Sequence, residues 1–383
     1  MNTYGRIPLS FVEGEGVWLT DDQGNRYLDA VAGLGVTALG HSHPEVTRTI
    51  REQSEKLLHT SNLYRIPAQE KLAEKLTAIS GMDKVFFANT GAEANECAIK
   101  ICRLYGKNRS ISNPTIIVME SSFHGRTLAT LTATGNRKVQ AGFEPLVNGF
   151  VRAPFNDIEA IKIIARNNTN IVGVMLEPVQ GEGGINVATD AYMKELREVC
   201  DANEWLMVLD EVQSGNGRTG SWFNYQQRGI LPDIVTTAKG LANGIPIGVC
   251  LARGEAAVTL KPGKHGTTFG GNPFSCSVGL TVIETIEKEA LIENAKRMGE
   301  YLMSALKKRF SGLNNVKEVR GAGLMIGVEL TSPCTELVAK AQEKGLLINV
   351  TSEKVIRLLP PLILEEEQAD TLVDILGDII ENS

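Results

Sequence analysis

A chain of 383 residues, 43% apolar and 22% charged, is long enough for a large core and has the composition of a folded globular protein. The formal net charge of −6 is mild at this size, and no Lys/Arg cluster is interleaved with aromatics, so no nucleic-acid surface is indicated and small molecules are the expected partners. The opening MNTYGRIPLSF lacks the apolar core of a secretory signal, and no run approaches the roughly 18 uninterrupted apolar residues of a membrane helix, so the chain reads as cytoplasmic with no membrane contact.

In chain order, GVWLTDDQGNRYLDA reads as a hairpin turned at Gln23-Gly24-Asn25. His41 and His43 have H-x-H spacing, but no further ligands accompany them; they read as loop residues, and no metal is expected. Helical periodicity follows. Val46, Ile50 and Leu57 fall on one stripe of EVTRTIREQSEKLL, and Pro67 opens PAQEKLAEKLTAI with Leu72, Leu76 and Ile79 on one face.

Apolar, β-branched runs then alternate with helices: KVFFA (84–88), TIIVM (115–119), IVGVML (171–176), WLMVL (205–209), DIVTT (233–237) and IGVCLA (247–252). Their near-continuous hydrophobicity predicts strands covered on both faces, hence an α/β domain with a mostly parallel sheet. After about residue 255 the character changes. The glycine-rich KPGKHGTTFGGNPF (261–274) leads to helices, a strand region VRGAGLMIGVEL (319–330), a strand GLLINV (345–350), and a closing helix with Leu372, Ile375, Leu376 and Ile379 at helical spacing. This divides the chain into an N-terminal segment (1–45), a large domain (46–256) and a smaller C-terminal α/β domain (257–383) beside which the N-terminal segment packs. Six cysteines without C-x-x-C spacing, most within apolar patterns, read as reduced structural thiols.

Three stretches carry chemistry. In FFANTGAEANECAIKICRLYG a strand ends, Thr90-Gly91 turns the chain, and a helix opens with Cys97, Ala98, Ile101, Cys102 and Tyr105 on one stripe. Small residues at such a junction leave backbone N–H groups free to meet a phosphate, although a plain strand-to-helix turn has the same pattern. In WLMVLDEVQSGNGRTG, Asp210 ends a strand at the carboxyl edge of the sheet, where open α/β folds place ligands; a carboxylate there suits a positive ring nitrogen, a metal or a ribose hydroxyl. Gly215, Gly217 and Gly220 satisfy G-x-G-x-x-G, but only SWFNYQQRG separates them from the next turn and strand, too little for the crossover helix of a dinucleotide site.

In DIVTTAKGLANG, Lys239 follows the next strand between an alanine and a glycine. A lysine at a sheet edge beside a cofactor is partly desolvated and loses its proton readily, as Schiff-base chemistry requires. Phosphate cradle, acid and lysine together are the set that pyridoxal phosphate needs.

The motifs NTGAEANECAIKICR, SSFHGRT, EPVQGEGG, LDEVQSGNGRTG, TTAKGLANGIPIG and TTFGGNPFSC resemble, in order and spacing, the class-III (ω-amine) pyridoxal-phosphate aminotransferases of fold type I. The resemblance covers nearly the whole chain. Within that family, GVTALGHSHPEV and LHTSNLY are most similar to its acetylornithine branch.

The resemblance implies a seven-stranded, mostly parallel sheet between helices in the large domain, with the C-terminal α/β domain joined by the N-terminal segment. It implies Lys239 as the covalent anchor and proton shuttle, with Asp210 on the ring nitrogen. It implies Gln213 on the phenolic oxygen and Phe123 stacked on the ring. Gly91 and Ala92 offer amides to the phosphate, with Thr90 beside them, and Thr268 reaches the neighbouring subunit's phosphate, which requires a homodimer with composite sites.

For substrates, it implies Arg357 for the α-carboxylate of glutamate, Glu182 pairing with Arg357 when an ω-amine is bound, and Arg126 and Thr267 at the rest of the ligand. The implied reaction moves the terminal amine of N2-acetylornithine to 2-oxoglutarate. Three features depart from the family pattern. Ala92 stands where a hydroxyl is frequent, Asn216 where an apolar residue is common, and Leu34 where ornithine-specific members have tyrosine. Competing readings are another ω-amine donor, a pyridoxal-phosphate mutase, racemase or decarboxylase, and a nicotinamide oxidoreductase; the Glu182–Arg357 pair favours an enzyme that alternates two substrates.

Overall fold

The computed structural model describes residues 1–382. Its main sheet has seven strands in the order Lys84–Ala88, Gly248–Ala252, Ile234–Thr237, Leu206–Asp210, Ile171–Leu176, Thr115–Met119, Phe150–Ala153. Gly248–Ala252 runs antiparallel to both its neighbours, and the other pairings are parallel. The seven-stranded, mostly parallel sheet is the one expected.

Side-chain alternation explains why these runs are apolar throughout. Ile116, Val118, Leu206 and Val208 face one core with the helix Gly91–Asn108; Ile117, Met119, Met207 and Leu209 face the other. With both faces covered, no strand position can be polar cheaply.

The C-terminal half corrects several boundaries. The run at 319–330 lies within two antiparallel strands, Val316–Ala322 and Met325–Leu330, turned at residues 323–324 where Gly323 takes a positive φ of 52°. GLLINV also divides. Leu346–Leu347 pairs in parallel with Arg26–Asp29, while Asn349–Thr351 pairs antiparallel with Val355–Leu358. A single segment thereby ties the N-terminal hairpin to the C-terminal sheet, helped by Leu359 N donating to Ala30 O at 2.7 Å. Helix Pro273–Lys288 packs on helices Pro44–Ser54 and Pro67–Ser80.

Leu57 does not join the stripe of Val46 and Ile50. The helix stops at Ser54, whose hydroxyl donates back to Arg51 O, and Leu57 is 49% exposed. His41 and His43 diverge to separate carboxylates, Asp29 at 2.9 Å and Glu289 at 3.6 Å. After the glycines at 215–220 comes only the short 3₁₀ turn Asn224–Arg228. All six cysteines are free and buried, and among the described residues no helix is long and apolar enough to cross a membrane.

Candidate active site

The parallel strands of the main sheet deliver their C-terminal ends to one edge. Glu177 follows Ile171–Leu176, Asp210 closes Leu206–Asp210, and Lys239 comes two residues after Ile234–Thr237. They line one cavity of about 450 Å3. The same cavity receives Thr90, Gly91 and Ala92 from the opening of helix Gly91–Asn108, and Phe123 and Arg126 from the loop after Thr115–Met119. Glu182 and Gln213 line it too, while Arg357 lies behind them, bonded to both. Thr267 and Thr268 do not reach this cavity. The Thr267 hydroxyl accepts from Asn89 Nδ2 at 3.1 Å and Gly270 N at 3.3 Å, and Thr268 is exposed.

Lys239 sits in a left-handed conformation, φ 42°, that costs a non-glycine residue about 1–3 kcal/mol and persists only where neighbours enforce it. Asn216 is one enforcer. Its buried amide donates to Thr237 Oγ1 at 2.8 Å and to Ala238 O at 3.0 Å, clamping the two residues before the lysine. The departure noted at Asn216 thus has a structural role that its loop position did not reveal. Burial moves the Lys239 amine down to about 8, and the nearby Arg357 charge pushes the same way against Glu182, Asp210 and Glu177. Among the described residues its Nζ has no hydrogen-bond or ion-pair partner.

Asp210 is held on every side. Its Oδ2 accepts from His124 Nδ1 and Asn95 Nδ2, both at 2.8 Å, and its Oδ1 from Val212 N at 3.1 Å. Asn95 is itself oriented by Thr236, whose hydroxyl donates to its Oδ1 at 2.6 Å. For His124, burial opposes the charged ring, but the Asp210 hydrogen bond and the charges of Asp210 and Glu177 prevail and raise its pKa. Its Nε2 is buried without a partner.

Glu177 accepts from Phe123 N at 2.9 Å and Gly181 N at 3.3 Å. Burial lifts its carboxyl to about 7, aided by the Asp210 charge and opposed by His124 and the two amides. The sequence by itself assigned no chemistry to His124, Asn95 or Glu177. A signal existed for Glu177, because it ends an apolar strand at the carboxyl edge as Asp210 does.

At one wall Arg357, 1% exposed, donates from Nη1 to Glu182 Oε1 at 2.6 Å, while Glu182 is 42% exposed. Arg357 Nε also donates to Asn349 Oδ1 at 3.0 Å, and Nη1 to Gln213 Oε1 at 3.4 Å. The other end of the Gln213 amide donates to Leu34 O at 3.1 Å, so this side chain is braced before any ligand arrives. A guanidinium this deep needs an anion. The carboxylate that touches it sits on a half-exposed side chain. Arg126 lies with its Cζ 5.7 Å from the Phe123 ring centre and pairs with no carboxylate among the described residues.

Thr90 caps helix Gly91–Asn108, its hydroxyl accepting from Glu93 N at 3.1 Å and keeping its own hydrogen to donate. The Gly91 and Ala92 amides have no acceptor among the described residues, which makes the helix start an anion site. A Cβ at Gly91 would come within 2.8 Å of the Val212 side chain, so the approach there requires glycine. The cavity therefore brings together two free helix-start amides, a buried carboxylate, an aromatic side chain, an unpaired amine and Arg126, with Arg357 just behind Glu182 and Gln213.

The Aminotransferase class-III family description matches residues 1–380. The chain is 54% identical over 380 residues to the acetylornithine aminotransferase of Nitrosomonas europaea, covering 99% of this chain and 97% of that one. Among solved structures, it resembles the acetylornithine aminotransferase of Elizabethkingia anophelis with a TM-score of 0.91 and 33% identity, over 100% of this chain and 96% of that one. It also resembles an ornithine aminotransferase of Toxoplasma gondii with PLP at partial occupancy in its active site, with a TM-score of 0.94 and 31% identity over 98% and 91% of the two chains.

Proposed function

The chain belongs to the class-III aminotransferases, and from that premise we propose that it transfers the terminal amine of N2-acetylornithine to 2-oxoglutarate. The products are N-acetylglutamate 5-semialdehyde and glutamate, and the cofactor is pyridoxal phosphate. We read it as a cytoplasmic homodimer serving arginine synthesis, with Thr268 and the exposed loop around it completing the partner's site. The observation that carries this reading is the Arg357–Glu182 pair beside Lys239: a buried carboxylate receptor with a displaceable internal carboxylate serves an enzyme that alternates two substrates. The near-full-length identity to acetylornithine aminotransferases supports the choice of donor.

The residues fit the cofactor. The free Gly91 and Ala92 amides and the Thr90 hydroxyl suit its phosphate, Asp210 its ring nitrogen, Phe123 its face and the unpartnered Lys239 amine its aldehyde. When bound, pyridoxal phosphate supplies a ring that withdraws electrons from the amine-bearing carbon of the substrate. Asp210, held in place by His124 and Asn95, would keep a proton on the ring nitrogen. Lys239 Nζ would take the proton from the substrate's amine-bearing carbon and would return it on the cofactor side. Phe123 would wall one face of the ring. Arg357 binds the α-carboxylate of glutamate when Glu182 swings away, and Arg126 holds the remaining carboxylate of either substrate.

A single-turnover spectrum tests the assignment. The pyridoxal form mixed with N2-acetylornithine should convert to the pyridoxamine form, and 2-oxoglutarate should reverse it. No response to acetylornithine, succinylornithine, ornithine or 4-aminobutyrate would sink ω-amine transfer.

Two further outcomes are expected. Arg357→Ala should cut kcat/KM for glutamate by roughly 100-fold while the acetylornithine half-reaction falls by less than about tenfold, because only the former loses its carboxylate receptor; equal losses would remove Arg357 from that role. The apoprotein should take up pyridoxal phosphate covalently at a rate that rises with pH and levels off above about 8, since the Lys239 amine sheds its proton there rather than at the ordinary 10.5. A rate still climbing above pH 9.5 would show a solvated lysine.

A further inference from the structure

Glu177 is a buried carboxylate that the proposed chemistry leaves idle. Among the described residues it has no cationic side chain in contact and donates to nothing. Instead its two oxygens each accept one backbone amide from a different segment: Oε2 from Phe123 N at 2.9 Å, Oε1 from Gly181 N at 3.3 Å. Phe123 belongs to the loop after Thr115–Met119 and walls the cavity. Gly181 immediately precedes Glu182, the carboxylate on Arg357. The far side of that second loop is tethered too, because Thr351 Oγ1 donates to Glu182 O at 2.5 Å and Ser352 Oγ at 3.2 Å.

Resting on the two-substrate reading above, we propose that Glu177 is a positioning residue that couples the Phe123 loop to the Gly181–Glu182 loop, so that exchange of Glu182 for a ligand carboxylate on Arg357 is sensed at Phe123. The argument is one of acceptor count. Two N–H donors from separate segments need an acceptor on both oxygens of one planar group, which a carboxylate offers and a carboxamide does not. Because the plane is rigid, a shift of either amide must rotate the group and draw the other amide with it, or break a buried hydrogen bond. Space is also short around Gly181. A Cβ there would lie 2.1 Å from Gln213 Oε1 and 3.5 Å from Arg357 Nη1, so small movements of this loop register at once on the arginine and its brace. Glu177 touches neither substrate nor cofactor in this account; it acts through the loops it holds.

The test is a double-mutant cycle on the holoenzyme. Glu177→Gln keeps the size but must give up one of the two bonds. The ratio of the glutamate to the acetylornithine half-reaction rate should shift by roughly tenfold, and that shift should shrink to about threefold or less when Glu182→Ala is already present. A merely structural residue would slow both half-reactions alike, and an unchanged shift in the Glu182→Ala background would show that Glu177 does not act through that loop; either result overturns the proposal. Should Glu177→Gln not fold, hydrogen exchange on the wild-type holoenzyme decides. Saturating glutamate should change protection of the Phe123 and Gly181 amides together, and a change at only one of them overturns the coupling. Wild-type enzyme that performs neither half-reaction instead overturns the two-substrate reading, while exchange with glutamate bound still reports on the coupling itself.

Discussion

Lys239→Ala is expected to lower turnover by about 10,000-fold or more in both half-reactions, because it removes the covalent anchor and the proton carrier at once. The fold should persist. Lys239 makes no hydrogen bond or ion pair among the described residues, and its left-handed backbone is held by Asn216 through Ala238 and Thr237 rather than by its own side chain. Removing a desolvated amine also removes a charge that burial disfavours, so thermal stability should hold or rise slightly. The measurement is steady-state turnover beside a cofactor-binding titration. Alanine enzyme should still bind pyridoxal phosphate through the anion seat and Asp210, with borohydride no longer fixing it to the protein. Substantial activity in that variant would end the assignment.

Asp210→Asn is expected to reduce both half-reactions by about 1,000-fold with less loss of structure than Asp210→Ala. Asparagine keeps one acceptor oxygen, enough for either the Asn95 donor or the Val212 amide but not both, and carries no charge to keep a proton on a ring nitrogen. It also strips His124 of its charged partner. The Asp210 bond and charge are what raise the His124 pKa against burial, so the ring should lose its proton and titrate lower in the variant. Stopped-flow half-reactions, with the His124 ring followed by NMR, read both effects. Normal half-reaction rates would take Asp210 out of the chemistry. An unaltered His124 with slow rates would keep Asp210 but dissolve its link to the histidine. Asp210→Ala is the poorer probe, because it strands the buried donors of Asn95 and His124 as well.

Much of the main sheet was legible in the residues themselves. The runs at 84–88, 115–119 and 171–176 are strands with the boundaries expected, since a strand covered on both faces admits few polar residues and ends where they begin. Less was legible in the C-terminal half. GLLINV reads as a single strand, yet its two halves serve different sheets: the first pairs with the N-terminal strand at the other end of the chain, the second with the strand that follows it, and no local pattern encodes the switch. The helical stripe through Leu57 failed for a related reason. Periodicity continued past Ser54, but the backbone there closed on a serine hydroxyl instead.

At the site, residue types and spacing by themselves pointed to Lys239, Asp210 and the Thr90-Gly91 turn, since each follows a recognisable strand and the sheet sends such ends to a common edge. Family resemblance added the two arginines and Glu182. Only the tertiary structure decided what surrounds them. That Asp210 is gripped by His124 and Asn95, that Asn216 bends the backbone under Lys239, and that Glu177, bonded to Gly181 in its own loop, also reaches Phe123 are contacts made across the fold. A sequence records which side chains can ionise; burial and neighbours, which exist only once the chain is folded, determine which of them do.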